Sequence, residues 1–229
     1  MTDTAIVFAI YPGVTQLDFT GPHQVFCRLP GARVRVASAA GGTIEADGLA
    51  FSGLPRLADI ETCDVICIPG GFGTTEAMLD DDYIAQVRRL AASARFVTSV
   101  CTGSLILGAA GLLKGKRAAC HWTSRHLLAE FGAIPDADRV VRDGNVFTGG
   151  GVTAGIDFAL TLAAEIAGAD VAQAIQLTLE YAPAPPFHSG TPETAPPEIL
   201  ARVRERMVKT DAERHAAVEA AARRVPLTL

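Results

Sequence analysis

A chain of 229 residues with 49% hydrophobic and 20% charged side chains can bury one sizeable core, and disorder is excluded for most of its length. The formal net charge of −5 mixes acids with bases and leaves no basic, aromatic-laced stretch, so nucleic acid is not an expected partner. No apolar run reaches the ~18 residues that span a bilayer, and Met1-Thr-Asp-Thr has neither a basic leader nor a cleavage site. The expectation is a cytoplasmic protein with no membrane partner.

The first element, Thr4 to Ile10, reads as a buried strand. A Pro-Gly turn follows, and Thr20 with Pro22 predicts a helix start. Arg33 to Ala37 reads as a second strand. Thr43 to Ser52 reads as a hairpin turning at Asp47-Gly48. Val65 to Ile68 is a further buried strand that ends in Pro69-Gly70-Gly71, and Asp80 to Ala94 is helical. The β-branched run from Phe96 stops at Cys101, after which a small-residue turn opens a helix. Arg117 to Cys120 reads as a short strand, with a helix capped by Thr123 running to Phe131. A second hairpin spans Arg139 to Thr148, turning at Asp143-Gly144. Helices follow from Thr153 to Ala167 and from Asp170 to about Tyr181. Strands alternating with helices imply an α/β fold with a mostly parallel sheet and helices on both faces. Six prolines among residues 182–197 mark an extended loop, and a charged, alanine-rich helix closes the chain. Its thin apolar stripe suggests a surface or dimer-bracing helix.

Cys101 is the most informative residue. A thiol between a strand end and a helix start meets backbone N–H groups that favour the thiolate, the nucleophilic form. Buried cysteines more often simply pack, so the residue needs companions. In a parallel sheet, companions gather at the carboxyl ends of the strands. There Asp18 follows the first strand, between Leu17 and Phe19, an apolar setting that would raise its pKa and suit it to acid–base work. A helix-capping role fits Asp18 as well. Gly70 and Gly71 allow close backbone approach and N–H donation to a developing anion, as does Thr102, although Pro-Gly-Gly also marks ordinary turns. Thr102 cannot be the base that a cysteine protease would need. Cys120 and His121 are adjacent on a strand and so face opposite ways. His121 and Trp122 therefore read as structural. The five cysteines are irregularly spaced, with no zinc pattern and no disulfide framework. No metal site is expected.

Together, Ile68-Pro-Gly-Gly71, Val100-Cys-Thr-Gly103, Ala119-Cys-His-Trp122 and Thr148-Gly-Gly-Gly-Val-Thr-Ala-Gly-Ile-Asp157 resemble the ThiJ/PfpI superfamily. The resemblance runs from Thr4 to about Tyr181. It implies a flavodoxin-like three-layer sandwich over residues 1–181, with residues 182–229 packed on that domain or on a dimer partner. It also implies Cys101 on a nucleophile elbow, a homodimer, and Gly150 and Val152 beside the substrate. Asp18 in Leu-Asp-Phe-Thr-Gly-Pro, Thr102 after the cysteine and the Glu180 to Pro192 tail are similar to the isocyanide hydratases of that superfamily. That similarity implies cofactor-free hydration of a small isocyanide to an N-substituted formamide. The route would be a covalent Cys101 thioimidate with Asp18 as general acid and base. Two readings stay open: a glyoxalase-like hydratase of 2-oxoaldehydes and a cysteine redox sensor. Sensor domains of AraC-type regulators share much of the pattern, but the short charged helix after the tail disfavours a regulator.

Overall fold

In the computed structural model, which describes residues 3–225, the apolar runs become a six-stranded sheet. Its order is β2-β1-β5-β6-β10-β9. The strands are β1 (Thr4–Ile10), β2 (Ala32–Ser38), β5 (Val65–Ile68), β6 (Phe96–Val100), β9 (Val140–Asp143) and β10 (Val146–Gly149). All neighbours pair in parallel except β9 with β10, which form the hairpin expected around Asp143-Gly144. Strands β5 and β6 are buried at every position, as continuous apolar runs in the middle of a parallel sheet must be. The Asp47-Gly48 turn joins β3 (Gly42–Ala46) to β4 (Leu49–Leu54).

Helices α1 (Gln16–Phe26) and α5 (Ala154–Ala167) pack together, and α6 (Ala169–Thr178) packs on α5. Phe8 of β1, Phe26 of α1 and Phe158 of α5 are stacked in sequence, with centroids 6.2 and 5.9 Å apart, and hold this layer to the sheet. The other layer holds α2 (Thr74–Ala77), α3 (Asp81–Ser93), α4 (Gly103–Ala109) and α7 (Pro197–Ala222). Tyr83 of α3 pins that layer by donating to the Ala9 carbonyl at 2.7 Å. The result is a doubly covered, mostly parallel α/β sandwich.

Two local expectations differ from what is found. Helix α1 begins four residues earlier than Thr20, and Pro22 lies inside it. The reason is tertiary: the Thr15 N–H bonds the Gly70 carbonyl at 2.9 Å, which fixes the entry of the chain into the helix. The short strand expected at Arg117 is present as β7 (Arg117–Ala119), which pairs in parallel with β8 (Ile134–Asp136) apart from the main sheet. Residues Arg125–Phe131 wind as a 3-10 helix rather than an α-helix. Helix α7 is also more than a surface brace. It packs against α2, α4 and the 3-10 segment, with Arg214, Ala217, Val218 and Ala221 buried.

Helix α4 starts so close to β5 that a Cβ on Gly103 would lie 2.1 Å from the Ile68 carbonyl oxygen. Neither backbone can yield without moving the strand–turn–helix unit. Gly103→Ala should therefore lose about 1–3 kcal/mol of stability. A thermal melt reads this as a drop of ~2–4 °C per kcal/mol for a chain of this size. An unchanged Tm would contradict the close approach.

Candidate active site at the carboxyl edge of the sheet

Strands β1, β5 and β6 are consecutive in the sheet, so the loops at their carboxyl ends meet. Asp18, Gly70 and Cys101 come together there. Cys101 follows β6 and has φ 58°, a left-handed conformation unusual for a side-chain-bearing residue. Its N–H is held by the Gly149 carbonyl at 2.8 Å. Surrounding structure thus holds a backbone geometry that costs ~1–2 kcal/mol, as a nucleophile elbow requires.

Asp18 lies in the first turn of α1 and is fully buried. It is not a helix cap. Its Oδ2 accepts the Gly70 N–H across the site at 2.8 Å. Glycine is needed at that position, because a Cβ on Gly70 would lie 2.5 Å from Thr102 N and 2.9 Å from Asp18 Oδ2. Burial pushes the Asp18 carboxyl from 3.8 up to about 7, against the opposing pull of the Gly70 N–H and the Cys101 side chain. A group of that kind exchanges its proton near neutral pH.

Cys101 is held in the opposite sense from the sequence expectation. Burial pushes its thiol well above 9.0, and Asp18 and Cys120 push the same way; the Thr102 N–H opposes them and loses. Burial is the largest influence and opposes the helix start, and the Asp18 carboxyl interacts directly with the sulfur.

Thr102 acts through its side chain as well as its backbone. Its Oγ1 accepts the Gly71 N–H at 3.0 Å and lies 2.8 Å from Thr74 Oγ1. Thr74 Oγ1 is 2.9 Å from the Tyr11 hydroxyl, which donates to the Pro69 carbonyl at 2.8 Å. One proton arrangement runs through the four groups: Gly71 N–H to Thr102, Thr102 to Thr74, Thr74 to Tyr11, Tyr11 to Pro69, with the Gly71 carbonyl a more distant alternative acceptor for Thr102 at 3.3 Å. This buried relay rigidifies the loop under the site. It also corrects one expectation: the Gly71 N–H is already committed, and Thr102 supplies the backbone N–H directed at the sulfur.

A cavity of about 270 Å³ opens onto Cys101 and is walled by Phe72, Trp122, Val152, Val203, Met207 and Arg214, with Thr102 and His121. Val152 lines this cavity and also a neighbouring hollow; Gly150, whose N–H bonds the Arg139 carbonyl, lines that hollow rather than this cavity. His121 and Trp122 face the Cys101 cavity instead of serving only as packing. Burial, aided by Arg214, lowers His121 to about 4, so its ring is neutral and offers no charge to a thiolate. Helix α7 contributes Val203, Met207 and Arg214, none of which the sequence singled out. A signal existed: Arg214 shares the helical stripe of Ala217, Val218 and Ala221, where an arginine is out of place. Among the described residues, no group of three or more potential ligands could hold a metal ion.

The DJ-1/PfpI family pattern matches residues 4–165, and the chain belongs to that family. It is 54% identical over 202 residues to the isonitrile hydratase of Pseudomonas putida, spanning 88% of this chain and 89% of that one. A ThiJ/PfpI family protein from Pseudomonas syringae superposes with a TM-score of 0.92 at 41% identity, covering 95% of this chain and 91% of the other. Drosophila melanogaster DJ-1beta shares the fold, with a TM-score of 0.70 at 24% identity over 79% of this chain and all of its own.

The raised Asp18 pKa links stability to pH. The folded value of about 7 exceeds the ordinary 3.8, so folding binds this proton more tightly. The carboxyl's contribution is complete below the unfolded pKa and is lost as pH rises through the folded one. Asp18→Asn keeps an acceptor for Gly70 N–H and carries no charge. Its stability relative to wild type should climb between about pH 4 and pH 7 and then level off, by at most about 4 kcal/mol. Denaturant melts across pH test this; a difference that is flat or shrinks with pH contradicts the buried-carboxyl account.

Proposed function

We propose that the protein is an isocyanide (isonitrile) hydratase, a hydro-lyase that adds water to R–N≡C and releases R–NH–CHO. One observation carries the reading: Cys101 on its left-handed turn and the Asp18 carboxyl, fixed by the Gly70 N–H, share one buried site. The 54% identity to an isonitrile hydratase supports it.

The chemistry follows from the two groups. As the Cys101 sulfur attacks the terminal carbon, Asp18 takes the thiol proton and passes it to that carbon. The S–H has then added across the carbon, giving the thioimidate R–N=CH–S–Cys101. Water attacks the same carbon; Asp18 takes a proton from the water and returns one to nitrogen. The adduct R–NH–CH(OH)–S–Cys101 collapses to the formamide, and the sulfur recovers its proton. The Thr102 N–H steadies the sulfur as it gains and sheds charge. A carboxyl with a pKa near the working pH suits a step in which it must both accept and donate. The reaction balances without any cofactor.

The walls fit this substrate class. Phe72, Trp122, Val152, Val203 and Met207 favour an apolar R group, and the volume suits a small one. A homodimer belongs to the same reading and rests on the family resemblance, and work in the cytoplasm is part of the proposal.

Formamide release from a simple aryl isocyanide is the direct assay. Wild type should turn over, Cys101→Ala should fall to background, and Asp18→Asn should lose at least ~100-fold, the usual scale for removing a general acid–base. Methylglyoxal should not be hydrated at a comparable rate. Turnover of methylglyoxal without isocyanide turnover, or near-wild-type activity in Cys101→Ala, overturns the proposal.

A further inference from the structure

Arg214 is 2% exposed, yet it lines the cavity that opens onto Cys101. It arrives from α7, more than a hundred residues beyond the cysteine. One of its terminal nitrogens donates to Ser124 Oγ at 3.1 Å and the other to the Gly71 carbonyl at 3.3 Å. Both acceptors are neutral. Its Nε is buried without a partner. Asp211, one helical turn earlier, feels the guanidinium's charge, but its buried Oδ1 also lacks a partner. No carboxylate among the described residues pairs with Arg214.

A buried guanidinium is a permanent cation, and burying it without a counter-charge is strongly unfavourable. Such a group persists when something outside the chain supplies the negative charge or a strong acceptor. Arg214 lines the same cavity as Cys101, and Trp122, Val152, Val203 and Met207 line it too, so the cavity offers a substrate apolar surface, one thiol and one guanidinium.

We infer that Arg214 is a substrate-binding residue, and that the preferred substrate is an isocyanide whose apolar R group ends in a carboxylate. This rests on the hydratase reading and narrows its substrate. The apolar walls hold the body of the molecule, and the guanidinium receives the carboxylate, a pairing for which its planar donor fork is well shaped. Ser124 orients the fork. A structural latch from α7 to the Gly71 loop is the competing account.

Trp122 is the chain's only tryptophan and lines the cavity, so its fluorescence reports occupancy. The probes are the two expected products, 4-formamidobenzoate and the neutral N-(4-methylphenyl)formamide. Wild type should bind the carboxylate at least ~10-fold more tightly, the lower end for a charge-assisted pair. Arg214→Met should erase that preference while keeping its affinity for the neutral probe. Arg214→Lys should retain part of the preference, because charge survives and the fork does not. In turnover, Arg214→Met should raise the KM for 4-isocyanobenzoate by at least ~10-fold more than the KM for 4-methylphenyl isocyanide.

Equal wild-type affinity for the two probes overturns the inference. So does a uniform loss for both probes in Arg214→Met with a lowered Tm, which is the signature of a latch. If neither isocyanide is turned over, the hydratase reading itself fails. The carboxylate preference in binding is measured without turnover, so the two failures are distinct.

Discussion

A reciprocal pair of hydrogen bonds between two loops fixes the site: Thr15 N–H to the Gly70 carbonyl at 2.9 Å, and Gly70 N–H to Asp18 Oδ2 at 2.8 Å. The first starts α1 where it does, and the second aims the Asp18 carboxyl at the space over β6. Without them, a carboxyl in an apolar first turn would rotate toward water. With them it stays buried, and burial raises its pKa to about 7. Cys101 then needs only its left-handed turn to present its sulfur to the same space. The parallel order β1-β5-β6 makes the three loops neighbours.

Several features of this site work against stability. Asp18 is buried with one oxygen unpartnered, Cys101 is held in a left-handed conformation, and the Arg214 guanidinium is buried with its Nε unpartnered. The surrounding frame offsets these burdens with the Phe8–Phe26–Phe158 stack, the Tyr83 anchor and the relay from Gly71 to Pro69. Strain and unpartnered polar atoms concentrated in one place, against a consistent frame elsewhere, mark a functional centre.

Much of this was legible in the chain. Buried strands announce themselves as unbroken apolar runs, so β1, β5 and β6 and the residues at their ends were readable. Asp18 stood out because of its apolar neighbours. The β-hairpins followed from their Asp-Gly turns. Long-range contacts were the part that could not be read. The start of α1 depends on a carbonyl in a distant loop, which local capping rules do not see. His121 and Trp122 looked like packing because strand alternation says nothing about a residue just past a strand's end. At Cys101 a helix start and deep burial oppose each other, and the depth of burial is not written in the local sequence. Arg214 reaches the site through the chain's last helix, and its misplacement in an apolar stripe was the one local clue.

The account stands or falls on substrate carbon bonding to one sulfur. Wild-type protein would be mixed with an aryl isocyanide, quenched at successive times, and read by intact and peptide mass spectrometry. A mass gain equal to the isocyanide, confined to the peptide carrying Cys101 and decaying as formamide appears, is the predicted result. Formamide accumulating while Cys101 stays unmodified at every time, or the added mass residing on Cys27, Cys63, Cys67 or Cys120, would contradict it.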